Sequence, residues 1–373
     1  MKKKTLIGVC AACVVFVALL LVATFYDLQI NIALGNADSL FGQFFRLWGE
    51  VTGWIVIPIC AAILLRACDK KTKAGKVLAV LWAIVLVVGW FLTIKYFMEE
   101  FTGDSYIEGM YGSPYGYLTV HSIVFALIIS ALHVWAIYKV KETTIKKLVF
   151  FAVAMIIALA LSQLVTTVLK NIWTRQRFRN LGVGNGGTSS DGFTPWYQPG
   201  LGKNKEAATY YVEDSVGGML KKDAYKSFPS GHTSAAALSF GLIMLPELFE
   251  KLKKYKVWFY VAPIVYTVLV AISRIVNRAH YLSDVLFGGA IGALSVFVAI
   301  GIMKLIRKAE KKNAFFAAAA RVFGAESECV AVTETEAVAE ETGVENEATE
   351  EAVTVETEEA VSDANGEEKN EKE

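Results

Sequence analysis

The sequence predicts an all-α, polytopic membrane protein: a bundle of about eight transmembrane helices followed by a disordered acidic tail. The 373-residue chain is 54% hydrophobic and 20% charged, which differs only modestly from an ordinary globular protein. The distribution decides the class, because the apolar residues form long runs and the charges gather between them. Most of these runs also lack the polar face, repeated at helical spacing, that a soluble helix bundle shows.

Eight apolar runs are candidates for membrane spans, since a helix needs about 20 residues to cross the hydrocarbon core. They cover residues 5–26, 51–65, 77–97, 118–138, 148–169, 233–249, 257–276 and 281–306. The second and the sixth are short enough to be partly re-entrant. The first run resembles a secretory signal because Lys2, Lys3 and Lys4 precede it. It is long and shows no clear cleavage site, so we interpret it as a retained span.

The basic residues predict how the chain is oriented, because cytoplasmic loops carry an excess of Lys and Arg. Bases gather at the N-terminus and in four alternate connections, residues 66–76, 139–147, 250–256 and 307–312. Eight spans place all of these in the cytoplasm, and no other parity does so. We therefore expect a multi-pass protein of the cell membrane with both termini in the cytoplasm.

The chain divides into a membrane part with two halves and a C-terminal part. Residues 1–147 hold four spans with no obvious chemistry, and residues 148–306 hold four more. A long extracytoplasmic loop, residues 170–229, lies between the fifth and sixth spans. It is rich in Gly and aromatic residues, which fits either a solvated loop or a lid at the level of the lipid headgroups. Residues 307–324 form a basic and apolar juxtamembrane segment.

Residues 325–373 form the acidic tail. They hold 18 of the 36 acidic residues and 2 of the 37 Lys and Arg residues. Such a segment cannot bury enough apolar area to offset its ordering entropy, so we expect it to be disordered. The rest of the chain is basic, but its bases form no continuous stripe, which argues against binding of nucleic acid. The sequence predicts no particular partner for the tail.

Three polar clusters lie at the predicted outer ends of spans five to eight, where ionisable residues are functional candidates because burying them is costly. They are Lys170, Arg175 and Arg177; then Pro229, Ser230, Gly231 and His232; then Ser273, Arg274, His280 and Asp284. Each cluster alone has an ordinary explanation, such as an anchor at the membrane surface, a helix cap or a structural hydrogen bond. Together they indicate one site, because all three fall on the same face of the membrane.

The combination of these residue types suggests that the site binds phosphate. The positive groups of Lys170, Arg177 and Arg274 can surround the oxygen atoms of a phosphoryl group. Ser230 and the backbone N–H groups that begin at Gly231 lie at a predicted helix N-terminus, which favours anions.

Two histidines can supply the remaining chemistry. A phosphate ester requires a nucleophile and an acid, and His232 and His280 can serve as these two groups. The sequence offers no cluster of carboxylates or cysteines of the kind that a divalent metal ion needs. We therefore expect catalysis without a metal ion or any other cofactor.

At these residues the sequence resembles the type 2 phosphatidic acid phosphatase family of lipid phosphatases, whose soluble relatives include vanadium haloperoxidases. The family signature is a Lys, six residues, then Arg-Pro; Pro-Ser-Gly-His; and Ser-Arg, five residues, His, three residues, Asp. The matching positions are Lys170 and Arg177, then Pro229 to His232, then Ser273, Arg274, His280 and Asp284. One departure is Phe178, which stands where the family has Pro. The motif-bearing resemblance covers roughly residues 148–306. The family usually has a core of six helices, so the resemblance implies that the first two spans and the tail lie outside that core.

The resemblance implies a role for each matched residue. His280 would attack phosphorus and form a phosphohistidine, and Asp284 would hold its imidazole in the tautomer that leaves the attacking nitrogen free. His232 would protonate the leaving oxygen and then help water to hydrolyse the intermediate. The phosphate-binding groups would be Lys170, Arg177, Ser230, Gly231 and Arg274. Arg175 and Arg278 receive no role, and a solvated surface charge is the simplest interpretation of each.

We therefore expect an integral-membrane lipid phosphate phosphatase with its active site at the extracytoplasmic face. Phosphatidic acid, an isoprenoid diphosphate and phosphatidylglycerol phosphate are candidates for the substrate, and the sequence does not choose among them. Two alternatives stay open: a lipid phosphotransferase that uses the same site, and a non-catalytic binder or transporter of lipid phosphates. The pairing of His280 with Asp284 argues against the binder, because binding alone needs only the basic residues.

Overall fold

A computed structural model describes residues 3–102, 114–201 and 224–310 of the chain. Every regular element among these residues is a helix, so the all-α prediction is confirmed. The helices are α1 (Lys3–Leu34), α2 (Leu40–Trp48), α3 (Val51–Ala67), α4 (Lys73–Thr102), α5 (Pro114–Lys139), α6 (Glu142–Trp173), α7 (Gly231–Ala237), α8 (Leu245–Leu248), α9 (Trp258–Val276) and α10 (Leu282–Glu310). The predicted acidic tail and most of the juxtamembrane segment lie outside the described residues, as does the part of the long loop between 202 and 223.

Within these ranges, seven helical stretches are long and apolar enough to cross a membrane. They contain α1, α2 together with α3, α4, α5, α6, α9 and α10. Large apolar side chains point away from the bundle; Val14, Leu132 and Trp135 expose 68%, 60% and 66% of their surfaces. Apolar exposure on this scale fits helices that face lipid. The predicted polytopic membrane bundle is thus confirmed.

The predicted sixth span, residues 233–249, differs from the others because its helix is interrupted. It consists of the 7 residues of α7, a 3₁₀ helix of 7 residues over Leu238–Met244, and the 4 residues of α8. A 3₁₀ helix rises about 2.0 Å per residue against about 1.5 Å in an α-helix. The whole stretch therefore extends about 30 Å, close to the thickness of the hydrocarbon core. An eighth crossing at this position stays a prediction.

The core of the bundle lies among α3, α6, α7 and α10. α3 packs against α4 and α6, and α10 packs against α6 and α7. Ala62, Ala152 and Ala158 are completely buried in this core, and small side chains let membrane helices approach one another closely. At Gly288 of α10, an added Cβ would clash with the carbonyl oxygen of Ser230 at the start of α7. Only glycine permits this approach, which holds the beginnings of α7 and α10 together.

The described part of the long loop packs against the bundle. Nε1 of Trp196 donates a hydrogen bond to Oγ1 of Thr24 on α1 at 3.0 Å, and its ring lies 5.3 Å from the ring of Phe287 on α10. The ring of Phe193 lies 5.4 Å from that of Tyr281. These contacts hold Phe193 and Trp196 against the bundle, and the lid at the level of the lipid headgroups stays a prediction.

Candidate active site

The three predicted clusters come together at one end of the bundle. Lys170 lies in the last turn of α6, and His232 follows the first residue of α7. Arg274 lies in the last turn of α9, and Asp284 lies in the first turn of α10. After α6 the chain turns at Thr174, whose left-handed conformation (φ 41°) is one that commonly ends helices. Two helix ends and two helix beginnings therefore surround a single site.

His280 is buried and is held by one hydrogen bond at each ring nitrogen. Its Nδ1 lies 2.7 Å from the backbone carbonyl oxygen of Ser227, and its Nε2 lies 3.0 Å from Nη1 of Arg177. Because a carbonyl only accepts and a guanidinium only donates, the proton is on Nδ1 and Nε2 presents its lone pair. Burial and the positive charge of Arg177 hold the pKa of His280 well below its usual value of 6.5. The ring is therefore neutral at physiological pH.

Asp284 is completely buried, but it does not bond directly to His280. Its Oδ2 lies 3.6 Å from Nδ1 of the imidazole, which is beyond hydrogen-bond range. Oδ2 accepts hydrogen bonds from the Ser227 hydroxyl at 2.5 Å and from the Tyr281 N–H at 2.9 Å. Oδ1 accepts one from Arg175 at 2.7 Å. The carbonyl of Ser227 thus fixes the tautomer of His280, while Asp284 holds Ser227 and adds a nearby negative charge.

Arg175 is not the solvated surface charge that the sequence suggested. Its side chain is 1% exposed, and its guanidinium bridges two carboxylates. Nη2 lies 3.0 Å from Oδ2 of Asp27 on α1, and Nη1 lies 2.7 Å from Oδ1 of Asp284. Asp27 also accepts a hydrogen bond from the Ser283 N–H at 3.0 Å. No pattern along the chain indicates this pairing, because Asp27 and Arg175 are 148 residues apart.

Two further contacts join the N-terminal helices to the site. Nδ2 of Asn31 on α1 donates to the backbone carbonyl of His280 at 3.0 Å. The guanidinium of Arg278 donates to the carbonyls of Gly184 and Gly35 at 3.0 and 3.1 Å. Arg278 is therefore also a structural residue, and the interpretation as a solvated charge is wrong for it as well.

Arg274 is the clearest candidate for a phosphate ligand. It is 3% exposed, and its Nε and Nη1 atoms have no hydrogen-bond partner among the residues that the structure describes. Its charge acts on His232, His280 and Arg177, so it lies close to all three. Buried donors without an acceptor are rare and costly. A bound anion would satisfy both nitrogen atoms.

The other predicted phosphate ligands lie at the start of α7 and beside it. A Cβ added to Gly231 would lie 3.4 Å from Nζ of Lys170 and 3.6 Å from Oε1 of Glu50. The hydroxyl oxygen of Ser230 accepts hydrogen bonds from the N–H and the hydroxyl of Thr233 at 3.4 and 3.0 Å. It therefore caps α7, and its own O–H proton can be donated to a phosphate oxygen.

His232 is bonded at both ring nitrogens by residues of the N-terminal helices. Its Nδ1 lies 2.7 Å from Oε1 of Glu50, and its Nε2 lies 3.1 Å from the backbone carbonyl oxygen of Arg46. The side chains of His232 and Glu50 are 17% and 23% exposed, so this pair lies at the open edge of the site. Burial and the positive charge of Arg274 lower the pKa of His232, and the carboxylate of Glu50 opposes them.

Sequence reasoning did not identify Asp27, Glu50 or Ser227. Asp27 directly follows the first predicted span, and Glu50 directly precedes the second. An acidic side chain at the predicted outer boundary of the membrane is itself a signal, because ionisable groups near hydrocarbon are costly. Ser227 contacts His280 through its backbone carbonyl, for which no side-chain pattern exists.

The described residues of the site present positive groups to a ligand and few of the side chains that bind metal ions. Within residues 3–102, 114–201 and 224–310, no three His, Cys, Asp or Glu side chains come together as a metal site would need. The charged side chains that converge are Lys170, Arg177 and Arg274, with Glu50 beside them. Such a set is suited to an anion with several oxygen atoms.

This end of the molecule also matches known proteins in sequence. Residues 151–308 match the family model of the PAP2 superfamily. The predicted family is confirmed for this part of the chain. A stretch of 88 residues is 36% identical to phosphatidylglycerophosphatase B of Bacillus subtilis (strain 168), covering 23% of this chain and 43% of that protein. The chain thus aligns with less than half of the length of that relative, and no solved structure matches it.

The PAP2 region, residues 151–308, contains every site residue that the sequence predicted. Asp27, Arg46 and Glu50 precede this region, yet each contacts one of its site residues. The site described here is therefore built from the PAP2 region together with the helices before it.

Proposed function

We propose that the protein is an integral-membrane lipid phosphate phosphatase that works through a phosphohistidine. The observation that carries this proposal is the state of His280, a neutral and buried imidazole whose Nε2 lone pair faces the guanidinium of Arg177 at 3.0 Å. A nucleophile beside cations suits a phosphorus atom surrounded by anionic oxygens. Membership of the PAP2 superfamily and the name of the Bacillus relative support the same class of activity.

In the first step of the proposed reaction, Nε2 of His280 bonds to phosphorus while the bond from phosphorus to the lipid oxygen breaks. The electron pair of that bond goes to the lipid oxygen, which takes the Nε2 proton of His232. Lys170, Arg177 and Arg274 hold the other phosphoryl oxygens and stabilise the charge of the transition state. The lipid leaves as an alcohol, or as a phosphomonoester when the substrate is a diphosphate.

In the second step, water hydrolyses the phosphohistidine. The neutral His232 takes a proton from water, whose oxygen bonds to phosphorus as the bond to Nε2 of His280 breaks. The electron pair of that bond returns to Nε2, and inorganic phosphate leaves. Between the steps the His280 ring is positively charged, and the carbonyl of Ser227 and the carboxylate of Asp284, 3.6 Å away, stabilise it.

The position of α2 supports a lipid substrate over a soluble phosphate. This helix precedes Gly49 and Glu50, and the carbonyl of its residue Arg46 contacts His232. On its other side Leu40, Phe44 and Trp48 expose 82%, 55% and 44% of their surfaces. An exposed apolar surface of this kind beside the site suits a phosphate that is still attached to its lipid chains, which supports a lipid substrate. Because the Bacillus relative is named for phosphatidylglycerophosphate, that lipid is the first to test.

The experiment is phosphate release by the purified protein from phosphatidylglycerol phosphate, phosphatidic acid and an isoprenoid diphosphate. Each assay is run with and without EDTA, and with and without an acceptor alcohol. We expect release from at least one lipid, unchanged by EDTA and abolished in His280→Ala. If no lipid is hydrolysed while wild type and His280→Ala bind lipid phosphates equally, the protein is a binder and the proposal fails. Phosphate transfer to the alcohol in preference to water would identify a phosphotransferase.

We also propose that the site faces the extracytoplasmic side and that both termini are cytoplasmic, which the basic connections support. Gly186 is exposed, and a Cβ added there would meet no atom within 4 Å, so a short tag can be inserted at this position. The tag should be labelled from outside intact cells, whereas a tag at Glu373 should be labelled only after permeabilisation. Labelling of both tags from the same side would contradict eight crossings.

A further inference from the structure

The contact between Glu50 and His232 has a consequence for proton transfer. We propose that Glu50, which lies before the PAP2 region, is a positioning residue that favours the imidazolium form of His232 and so prepares it to protonate the leaving oxygen. The catalytic part of this inference rests on the proposed phosphatase function. The protonation state of His232 can be measured independently of any activity.

The two acceptors that face the ring of His232 favour its protonated form. Nδ1 faces a carboxylate oxygen of Glu50 at 2.7 Å, and Nε2 faces the carbonyl oxygen of Arg46 at 3.1 Å. Both oxygens are acceptors without a proton to give. A neutral imidazole has one N–H group and can satisfy one of these acceptors, whereas an imidazolium has two and satisfies both. The geometry around His232 is therefore the opposite of that around His280, whose Nε2 faces a donor.

Glu50 is held in place by bonds on both sides of it in the chain. The hydroxyl of Tyr266 on α9 donates to the carbonyl of Trp48 at 2.7 Å. The hydroxyl of Thr52 donates to the carbonyl of Ala235 on α7 at 2.6 Å, which ties the first turn of α3 to the helix that carries His232. The contact with His232 is thus fixed by the packing of three helices, unlike an ion pair between two mobile surface side chains.

The charges around His232 explain why a carboxylate is needed there. The positive charge of Arg274 on α9 acts on His232, and that of Lys170 on α6 acts on Glu50. The phenol groups of Tyr96 on α4 and Tyr266 on α9 also lie near Glu50. Cations near an imidazole disfavour its charged form. The negative carboxylate of Glu50 opposes the effect of these cations. Because it accepts the hydrogen bond of Nδ1, it also stabilises a positive charge on the ring directly.

The same contact directs both halves of the proposed reaction. In the first half, the proton on Nε2 leaves its hydrogen bond with the Arg46 carbonyl and passes to the leaving oxygen. The proton on Nδ1 stays on the ring, hydrogen-bonded to the carboxylate of Glu50. The neutral ring that results carries its proton on Nδ1 and its lone pair on Nε2. That is the tautomer that can take a proton from water in the second half. Glu50 thus acts through His232 and does not contact the substrate.

The first test measures the titration of His232 by NMR in the purified full-length protein. The chain has four histidines, and the signal of His232 is assigned from its loss in His232→Gln. Glu50→Gln keeps an oxygen that can accept from Nδ1 but removes the negative charge. We expect the titration midpoint of His232 to fall by about one pH unit or more in this variant. Glu50→Asp, which keeps the charge, should restore most of the difference.

The second test measures kcat/KM against pH for a lipid phosphate and for a nitrophenyl phosphate. In Glu50→Gln the basic limb of the kcat/KM profile for the lipid should move to lower pH. For each pH unit of this movement, kcat/KM at neutral pH should fall about tenfold or more. The nitrophenyl substrate should lose much less, because its leaving group needs little protonation. Glu100→Gln is the matched control: it removes a carboxylate that pairs with the Arg46 side chain at 2.7 Å but does not contact His232. Its profile should match that of wild type.

The outcomes separate the two proposals. An unchanged titration of His232 in a folded Glu50→Gln protein would overturn the role of Glu50, whatever the activity. If the titration moves but no variant or wild-type protein hydrolyses any lipid phosphate, the proposed function fails and the assignment of Glu50 stands. If Glu50→Gln does not fold, the comparison of Glu50→Asp with wild type decides. An equal loss on both substrates at every pH, without movement of the basic limb, would show that Glu50 is only structural.

Discussion

His280 and His232 lie at the same end of the helical bundle, but the groups that contact their rings differ in charge and in origin. The ring of His280 contacts Ser227 and Arg177, both in the PAP2 region. The ring of His232 contacts Glu50 and Arg46, both before that region. One histidine faces a donor at Nε2 and is neutral, whereas the other faces acceptors at both nitrogens.

This difference indicates that the PAP2 region contains the proposed nucleophile with its ring contacts, whereas the ring contacts of the proposed acid come from residues before that region. Burial alone would make both rings neutral, because it disfavours the charged form of either. The carboxylate of Glu50, which bonds to the ring of His232, opposes this effect of burial and so distinguishes His232 from His280. Two groups of one residue type can thus perform opposite proton chemistry in one site. The predictions below test how far the two halves of the site can be separated.

The largest expected effect is that of His280→Ala. Removal of the nucleophile deletes the covalent path for every substrate, whatever group leaves. We expect kcat to fall on the order of 10³-fold or more, about 4 kcal/mol of barrier, for a lipid phosphate and a nitrophenyl phosphate alike. His133→Gln is the control, because His133 bonds to Trp90 on α4, away from the site. Activity of His280→Ala within tenfold of wild type would rule out the proposed nucleophile.

His232→Ala should instead separate the two substrates. An alkoxide leaving group needs a proton, so the loss on phosphatidic acid should be about 10²–10⁴-fold. Nitrophenolate leaves without help, so the loss on its ester should be about tenfold or less. Labelled phosphate should accumulate on His280 in this variant, because hydrolysis of the intermediate slows as well. Equal losses for both histidine variants on both substrates, with no trapped phosphoprotein, would mean that the assigned roles are wrong.

The sequence predicted the site residues of the PAP2 region much better than the contacts that the preceding helices make with them. The helical bundle followed from runs of about 20 apolar residues. The grouping of Lys170, Arg177, Arg274 and His280 followed from their positions at the predicted outer ends of spans and from the resemblance to the phosphatase family. The interruption of the helix over residues 231–248 was not predicted, because a 3₁₀ segment has no distinct apolar pattern. The contacts of Asp27 and Glu50 were also missed, since they join residues more than 140 positions apart. Pairings at such distances depend on how helices pack, which a single sequence does not show.

Asp27→Asn tests whether α1 supports the His280 side through Arg175. Asparagine keeps the shape but removes one of the two charges that Arg175 contacts. Weakening a buried, charged hydrogen bond should cost about 1–3 kcal/mol of stability, measured as a lower unfolding temperature in detergent. Activity on lipid and nitrophenyl substrates should fall in parallel, because protonation of the leaving group is unaffected. Asp38→Asn removes an exposed carboxylate after the end of α1 and should change neither the unfolding temperature nor the activity. Equal unfolding temperatures for both variants would contradict this role for Asp27.

The pH dependence of the wild-type protein gives a smaller effect. Protonation of Nε2 would remove the lone pair of His280, so activity falls as the pH drops through its pKa. Because burial and Arg177 hold that pKa well below 6.5, the acid limb of kcat/KM should lie below pH 6.5. Activity at pH 6.5 should therefore remain within about twofold of that at pH 7. A midpoint of the acid limb at or above 6.5 would show that His280 is not held neutral as the geometry indicates.

Removal of the acidic tail should have the smallest effect on the activity of either histidine. The ring contacts of His232 and His280 come from residues 46, 50, 177 and 227, whereas the tail begins at residue 325. Removal of residues 325–373 should therefore leave the turnover rate within about twofold, well under 1 kcal/mol of barrier. The measurement compares kcat and the pH profile of full-length and truncated protein, both purified and folded, with the same lipid phosphate. A hundredfold loss would mean that the tail reaches the site and that neither histidine environment is complete without it.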